Sequence, residues 1–241
     1  MEQKAVFRTA PWWMLIARMI LFLLVQLIIA AILYLAGHSD PWAESARWWP
    51  FAVLSTNLVC IGLLYVLFKR EGKGYFEFTQ FHKESILLDL VIIVCLIPFV
   101  MLFASLPSQW LAVKLLGSYE KATAMFFQPL PIWAVIVAMA FPITHAFAEL
   151  PVYFGYAMPR IEQAAKSGWF AWGISSLFLA LQHITLPLIF EPNFLLWRAL
   201  NFIPFALFMG AVIKLRPRLF PYLMIGHAAI DMLLVIMYFS L

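Results

Sequence analysis

Residues 12–36 read WWMLIARMILFLLVQLIIAAILYLA, and this stretch decides the fold. Arg18 is its only charged residue. A bilayer core about 30 Å thick is crossed by about 20 apolar residues in helical form. The run is too long for the apolar region of a signal peptide, so it reads as a retained first span behind Lys4 and Arg8. The rest of the chain is similar. Of 241 residues, 65% are hydrophobic and 12% charged, with a mean hydropathy of +0.92. Soluble domains carry about 25% charged residues. A soluble domain of this length has too little interior to hide so much apolar surface. Lipid is therefore the solvent, and the expected class is an all-α polytopic transmembrane bundle.

Seven apolar segments are expected to span: 12–36, 49–68, 86–106, 132–156, 169–190, 194–215 and 219–239. Residues 107–131 are less apolar and suit an interfacial or re-entrant helix, making seven to eight helices. The whole chain, 1–241, forms one transmembrane domain with no internal repeat. Placing the N-terminus in the cytoplasm puts Lys4, Arg8, Lys69, Arg70, Lys73, Lys83, Arg160, Lys166, Lys214, Arg216 and Arg218 inside. Only Arg47, Lys114, Lys121 and Arg198 fall outside, as the positive-inside rule requires. Trp12, Trp13, Trp48, Trp49, Trp133 and Trp169 mark span edges. The net charge of +4 lies in loops facing a membrane and forms no nucleic-acid footprint. Cys60 and Cys95 lie in apolar runs, with no metal-binding spacing.

Ionisable residues at membrane depth are functional candidates by default. The set is Asp89, His145, Glu149, His183, His227 and Asp231, with Arg18 and Arg198 nearer span ends. Asp89 reads as a structural carboxylate at the inner interface. His145 and Glu149 are four residues apart, as are His227 and Asp231, so each pair shares a helix face. Three spans that each carry His or Glu into hydrocarbon must converge to satisfy one another. A carboxylate beside imidazoles can hold a divalent metal, or deprotonate a water. Such residues also serve proton relays and haem ligation, although no c-type haem motif is present.

The stretch Glu149-Leu-Pro-Val-Tyr-Phe-Gly-Tyr-Ala-Met-Pro-Arg160 resembles the first motif of the CPBP intramembrane proteases. That family contains the CAAX prenyl endopeptidases and the bacterial Abi proteins. Its second motif is loosely matched by Phe178 and His183, and its third by His227 and Asp231. The resemblance covers about 141–234 and implies a catalytic core there. It implies that Glu149 activates water. His183 and His227 would bind the water, a metal or the oxyanion, and Asp231 would support His227. If a metal is used, zinc on His183, His227 and Glu149 is the implied set. His145 and Asn201 are additional candidates, Asn201 as lining of the substrate path. The implied activity is an intramembrane endopeptidase acting on a membrane-associated or lipid-modified peptide or protein, in a bacterial or archaeal inner membrane. The alternative is an inactive scaffold or immunity protein bound to another membrane protein. The family's second Glu and its Arg are Leu150 and Phe154 here. Exchanging a buried ion pair jointly for apolar groups is near neutral for stability, so the loss reads as that of a structural or positioning pair.

Overall fold

The computed structural model describes residues 2–240, with the side chains of 2–8, 78 and 240 outside the described set. Lys4 and Arg8, counted above as inner charges, fall there. The chain is 84% helix, with no strand among the described residues. Among the described residues six stretches are long and apolar enough to cross a bilayer: Thr9–Leu35, Pro41–Arg70, Lys83–Leu116, Ile132–Ala165, Pro192–Leu215 and Pro217–Met237.

In chain order the helices are α1 (Glu2–Leu35), α2 (Pro41–Ser45), α3 (Trp49–Arg70), α4 (Ile86–Leu116) and α5 (Tyr119–Ala124). Then come α6 (Ile132–Ala138), α7 (Ala140–Ala146), α8 (Met158–Ala165), α9 (Gly168–Leu181), α10 (Pro192–Leu200), α11 (Ile203–Leu215) and α12 (Phe220–Met237). The less apolar stretch 107–131 divides. Its first part extends α4, and α5 supplies one short helix of six residues. The expected span 169–190 also divides. α9 has 14 residues and tightens into a 3₁₀ turn, Gln182–Thr185. Pro187 then offers no N–H to continue a helical ladder.

Between α7 and α8 the chain forms a π-helical segment, Pro151–Ala157. Pro151 lacks the N–H that would bond the carbonyl four residues back, at Phe147. The Tyr75 hydroxyl donates to that freed oxygen. Tyr75 lies in the loop after α3, where burial pushes its hydroxyl pKa up and keeps it a donor. Ring contacts from Phe76 to Phe147 (6.2 Å) and from Phe81 to Tyr222 (4.9 Å) fasten the same loop across α7 and α12.

With lipid outside, helix association rests on close packing and on polar contacts rather than on escape from water. Leu150 and Phe154 are both buried in the main core, beside Phe205, Ala206 and Met209. Both positions are thus packed as apolar core. A Cβ on Gly210 would lie 2.5 Å from Ser176 Oγ and 2.8 Å from Phe154 Cε1. Gly210 is therefore where the side chains of Ser176 on α9 and Phe154 on the π-helical segment press against the backbone of α11. Gly210→Leu is expected to cost about 1–3 kcal/mol by overpacking. SDS-unfolding equilibria check this, and an unchanged midpoint would contradict the close approach.

Ion pairs tie the end of the bundle that carries Arg70 and Leu215. Asp89 is fully buried, accepts from Ser85 (2.7 Å) and pairs with Arg218 (2.7 Å), the structural role read for it. Arg160 donates to Glu71 (2.7 Å from Nε) and stacks on Tyr156. Lys214 meets Glu162 at 3.0 Å.

Candidate active site

Four ionisable side chains from α7, α12 and the turn between α7 and the π-helical segment converge in the apolar interior. His145 Nε2 lies 2.8 Å from Glu149 Oε2. His227 Nε2 lies 3.7 Å from Glu149 Oε1. Asp231 Oδ2 lies 3.7 Å from both His145 Nε2 and His227 Nε2. The two imidazoles meet edge to face, with centroids 5.2 Å apart. Glu149 is only 2% exposed. The i, i+4 spacing of each pair and the packing of α12 on α7 produce this convergence.

Three further residues complete the site; the sequence reading includes Arg18 among the ionisable residues without a site role and singles out neither Asn57 nor Gln182. Arg18 of α1 is fully buried and donates to Gln182 Oε1 (2.7 Å) and Asn57 Oδ1 (3.0 Å). Its Nη2 lies 3.4 Å from His145 Nδ1 and 3.8 Å from Glu149 Oε2. Gln182 donates to Glu149 Oε2 at 2.8 Å. Asn57 of α3 donates to Phe141 O and Thr144 Oγ1, which sets its amide with Oδ1 toward Arg18. Glu149 Oε2 is thereby held by His145 and Gln182, while Oε1 faces His227. Arg18 is read from the sequence as nearer a span end; in the structure it is fully buried against its neighbours. The available signal was polarity: Arg18, Asn57 and Gln182 all stand in apolar spans.

Glu149, His227, Asp231 and His145 are brought together; His183 and Asn201 are not. His183 stacks on Phe202 at 3.8 Å between centroids, and its Nδ1 sits 3.1 Å from Ala180 O. A carbonyl only accepts, so Nδ1 carries the proton and Nε2 of neutral His183 is a bare acceptor. Among the described residues His183 forms no ion pair with Glu149 or Asp231. Its neighbour Gln182 reaches Glu149 instead. Asn201 is buried against α4, 3.5 Å from Ser108 Oγ, and does not line the cluster. The metal-capable set also changes. The ligand atoms of His145, His227 and Asp231 lie within 4.8 Å of one another, whereas the implied set included His183 and Glu149.

Arg198 is buried too, and donates to His183 O (3.0 Å) and Leu186 O. It closes the end of the 3₁₀ turn after α9, where free carbonyls favour a cation. No protein-family model, no curated protein and no solved structure matches the chain.

Proposed function

We propose that this protein is an intramembrane endopeptidase. One observation carries the reading: a carboxylate buried inside the helical bundle is held on one oxygen by two donors and turns the other toward a histidine. Buried charge in hydrocarbon is costly and marks function by default. His145 and Gln182 fix Glu149 Oε2, and Arg18 fixes both of them. Oε1 is left as the base for a water. The motif resemblance at Glu149, His227 and Asp231 points the same way.

In the proposed reaction, Glu149 Oε1 takes a proton from the water as the water oxygen attacks the scissile carbonyl carbon. His227 Nε2–H donates to the developing oxyanion, and Asp231 one turn along α12 stabilises that imidazole. The C–N bond then breaks, and the proton on Glu149 passes to the departing amine. A carboxylate and an amine result, and Glu149 is restored. Gly226, beside His227, has open space on its Cβ side, and Ile225 is exposed, so a membrane-associated or lipid-modified substrate reaches α12 laterally from lipid.

The test compares new protein N-termini in membranes bearing the wild-type chain with those bearing Glu149→Gln. Termini that depend on wild-type Glu149 are expected. Identical termini in both would favour the scaffold or immunity reading.

The same proposal includes seven crossings with the N-terminus inside, in a bacterial or archaeal inner membrane. α9 and its 3₁₀ continuation rise about 29 Å together, enough for a bilayer core. Reporter fusions at the two termini are expected on opposite faces. Both on one face would reduce the count to six.

A further inference from the structure

We propose that Tyr75 is a positioning residue for Glu149: its hydroxyl, by holding the Phe147 carbonyl, fixes the turn that carries the carboxylate. The proposal deepens the endopeptidase reading and rests on it for the reaction that the positioning serves.

The need for an outside donor begins in the sequence. Glu149 stands between the end of α7 and the π-helical segment, where no regular ladder runs. Phe147 N–H and Ala148 N–H bond three residues back, to Thr144 O (3.1 Å) and His145 O (3.0 Å). The donor that would reach Phe147 O in a continuing helix belongs to position 151, and Pro151 has no N–H. A carbonyl shielded from water and left without a donor is costly. Tyr75 supplies the donor from another part of the chain, 72 residues away.

Tyr75 is itself held in place. It is 5% exposed, and Phe68 and Phe76 meet its ring edge to face, with centroids 6.0 and 5.0 Å away. The loop around it is anchored on both sides. Glu71 pairs with Arg160, Glu77 accepts from Gly74 N–H at 2.6 Å, and Phe81 packs on Tyr222 of α12. Residues 71–81 thus run as a strap from α3 to α12. Phe147 lies two residues before Glu149, and Tyr222 five before His227. The strap therefore ties together the two chain segments that carry the carboxylate and the histidine facing it.

The consequence falls on Glu149. Its Oε2 meets His145 Nε2 and Gln182 Nε2 at 2.8 Å each, and its Oε1 faces His227 at 3.7 Å. N–H···O hydrogen bonds occupy a range only about 0.5 Å wide. A shift of the turn by about 1 Å undoes that arrangement and misplaces the base. The Tyr75 hydroxyl bonds backbone and not the carboxylate, so it places Glu149 and takes no part in the bond changes.

The experiment uses the full chain in nanodiscs and compares the wild type with Tyr75→Phe, which removes one oxygen. With a substrate found in the N-terminus comparison, kcat should fall by about 10–100-fold while KM stays unchanged. A hydrophobic carbodiimide, its adducts mapped by peptide mass, reads Glu149 without any cleavage. Modification at Glu149 should be about 10-fold faster in Tyr75→Phe, the effect of losing one hydrogen bond to a charged group. Restoring a donor with 4-aminophenylalanine at position 75 should reverse most of both changes. Thr79→Val removes a different hydrogen bond of the same loop, to Phe76 O (2.8 Å), and should leave both readouts as in the wild type. If Tyr75→Phe does not fold, 4-fluorophenylalanine at position 75, which fills the hydroxyl's place without donating, takes over the comparison. Wild-type kcat together with wild-type carbodiimide reactivity overturns the proposal, as does an equal loss in Thr79→Val. Faster modification of Glu149 in a protein that cleaves nothing in either form upholds the positioning and removes the endopeptidase reading. Unchanged modification and unchanged kcat in a protein that cleaves through Glu149 do the reverse.

Discussion

Replacing Glu149 by Gln is expected to lower the rate of peptide cleavage by about 10²–10⁴, the range a positioned general base contributes. The change keeps the side-chain size and lets the new amide oxygen still accept from His145 or Gln182. What it removes is the charge on Oε1 that takes the water's proton. The folded state survives because Arg18 keeps Gln182 Oε1 and Asn57 Oδ1 as acceptors. Single-turnover cleavage of a substrate found in the N-terminus comparison, beside an unfolding curve for the same variant, separates chemistry from folding. A variant that cleaves at the wild-type rate would remove Glu149 from the mechanism.

The second large effect is expected at Arg18. Arg18→Met removes a fully buried guanidinium that donates to Gln182 and Asn57 and lies beside His145 and Glu149. Breaking a buried charged network by deleting one member costs about 3–5 kcal/mol, because the partner charge stays buried and unpaired. The buried charge that loses its cation here is Glu149, with Gln182 and Asn57 losing their shared donor. Arg18→Lys recovers little, since an ammonium cannot reproduce the planar fork that reaches Gln182, Asn57 and His145 together. The double variant Arg18→Met with Glu149→Gln should regain part of the loss, as both charges are then gone. SDS-unfolding equilibria read the cycle. A single-variant cost below about 1 kcal/mol would show the network to be slack.

Much of the architecture was legible because hydrocarbon imposes a simple demand. Each span must be apolar, helical and of bilayer length. Six stretches among the described residues meet that description, and the departure at 169–190 has a local cause in the 3₁₀ turn and Pro187. That turn also sets which side chain of the Gln182-His183 pair touches Glu149. A helix that tightens from about 3.6 to about 3.0 residues per turn rotates its following side chains to new directions. Gln182 thereby meets Glu149, and His183 meets Phe202 and Ala180 O. Counting along an ideal helix could not distinguish the two.

Scarcity of charge within the spans singled out Asp89, His145, Glu149, His183, His227 and Asp231, of which four converge, and the i, i+4 spacing of His145 with Glu149 and of His227 with Asp231 follows from helical periodicity alone. Arg18 and Asn57 lie on α1 and α3, more than 80 residues from Glu149 in the chain. No local period links them to it. Only the packing of α1 against α3 and the 3₁₀ turn, and of α3 against α7, makes Arg18 the group that orients the site. The sequence alone determined which residues lipid would not tolerate. The tertiary structure decided which of them satisfy one another, because hydrogen bonds at about 3 Å depend on helix contacts that no single span encodes.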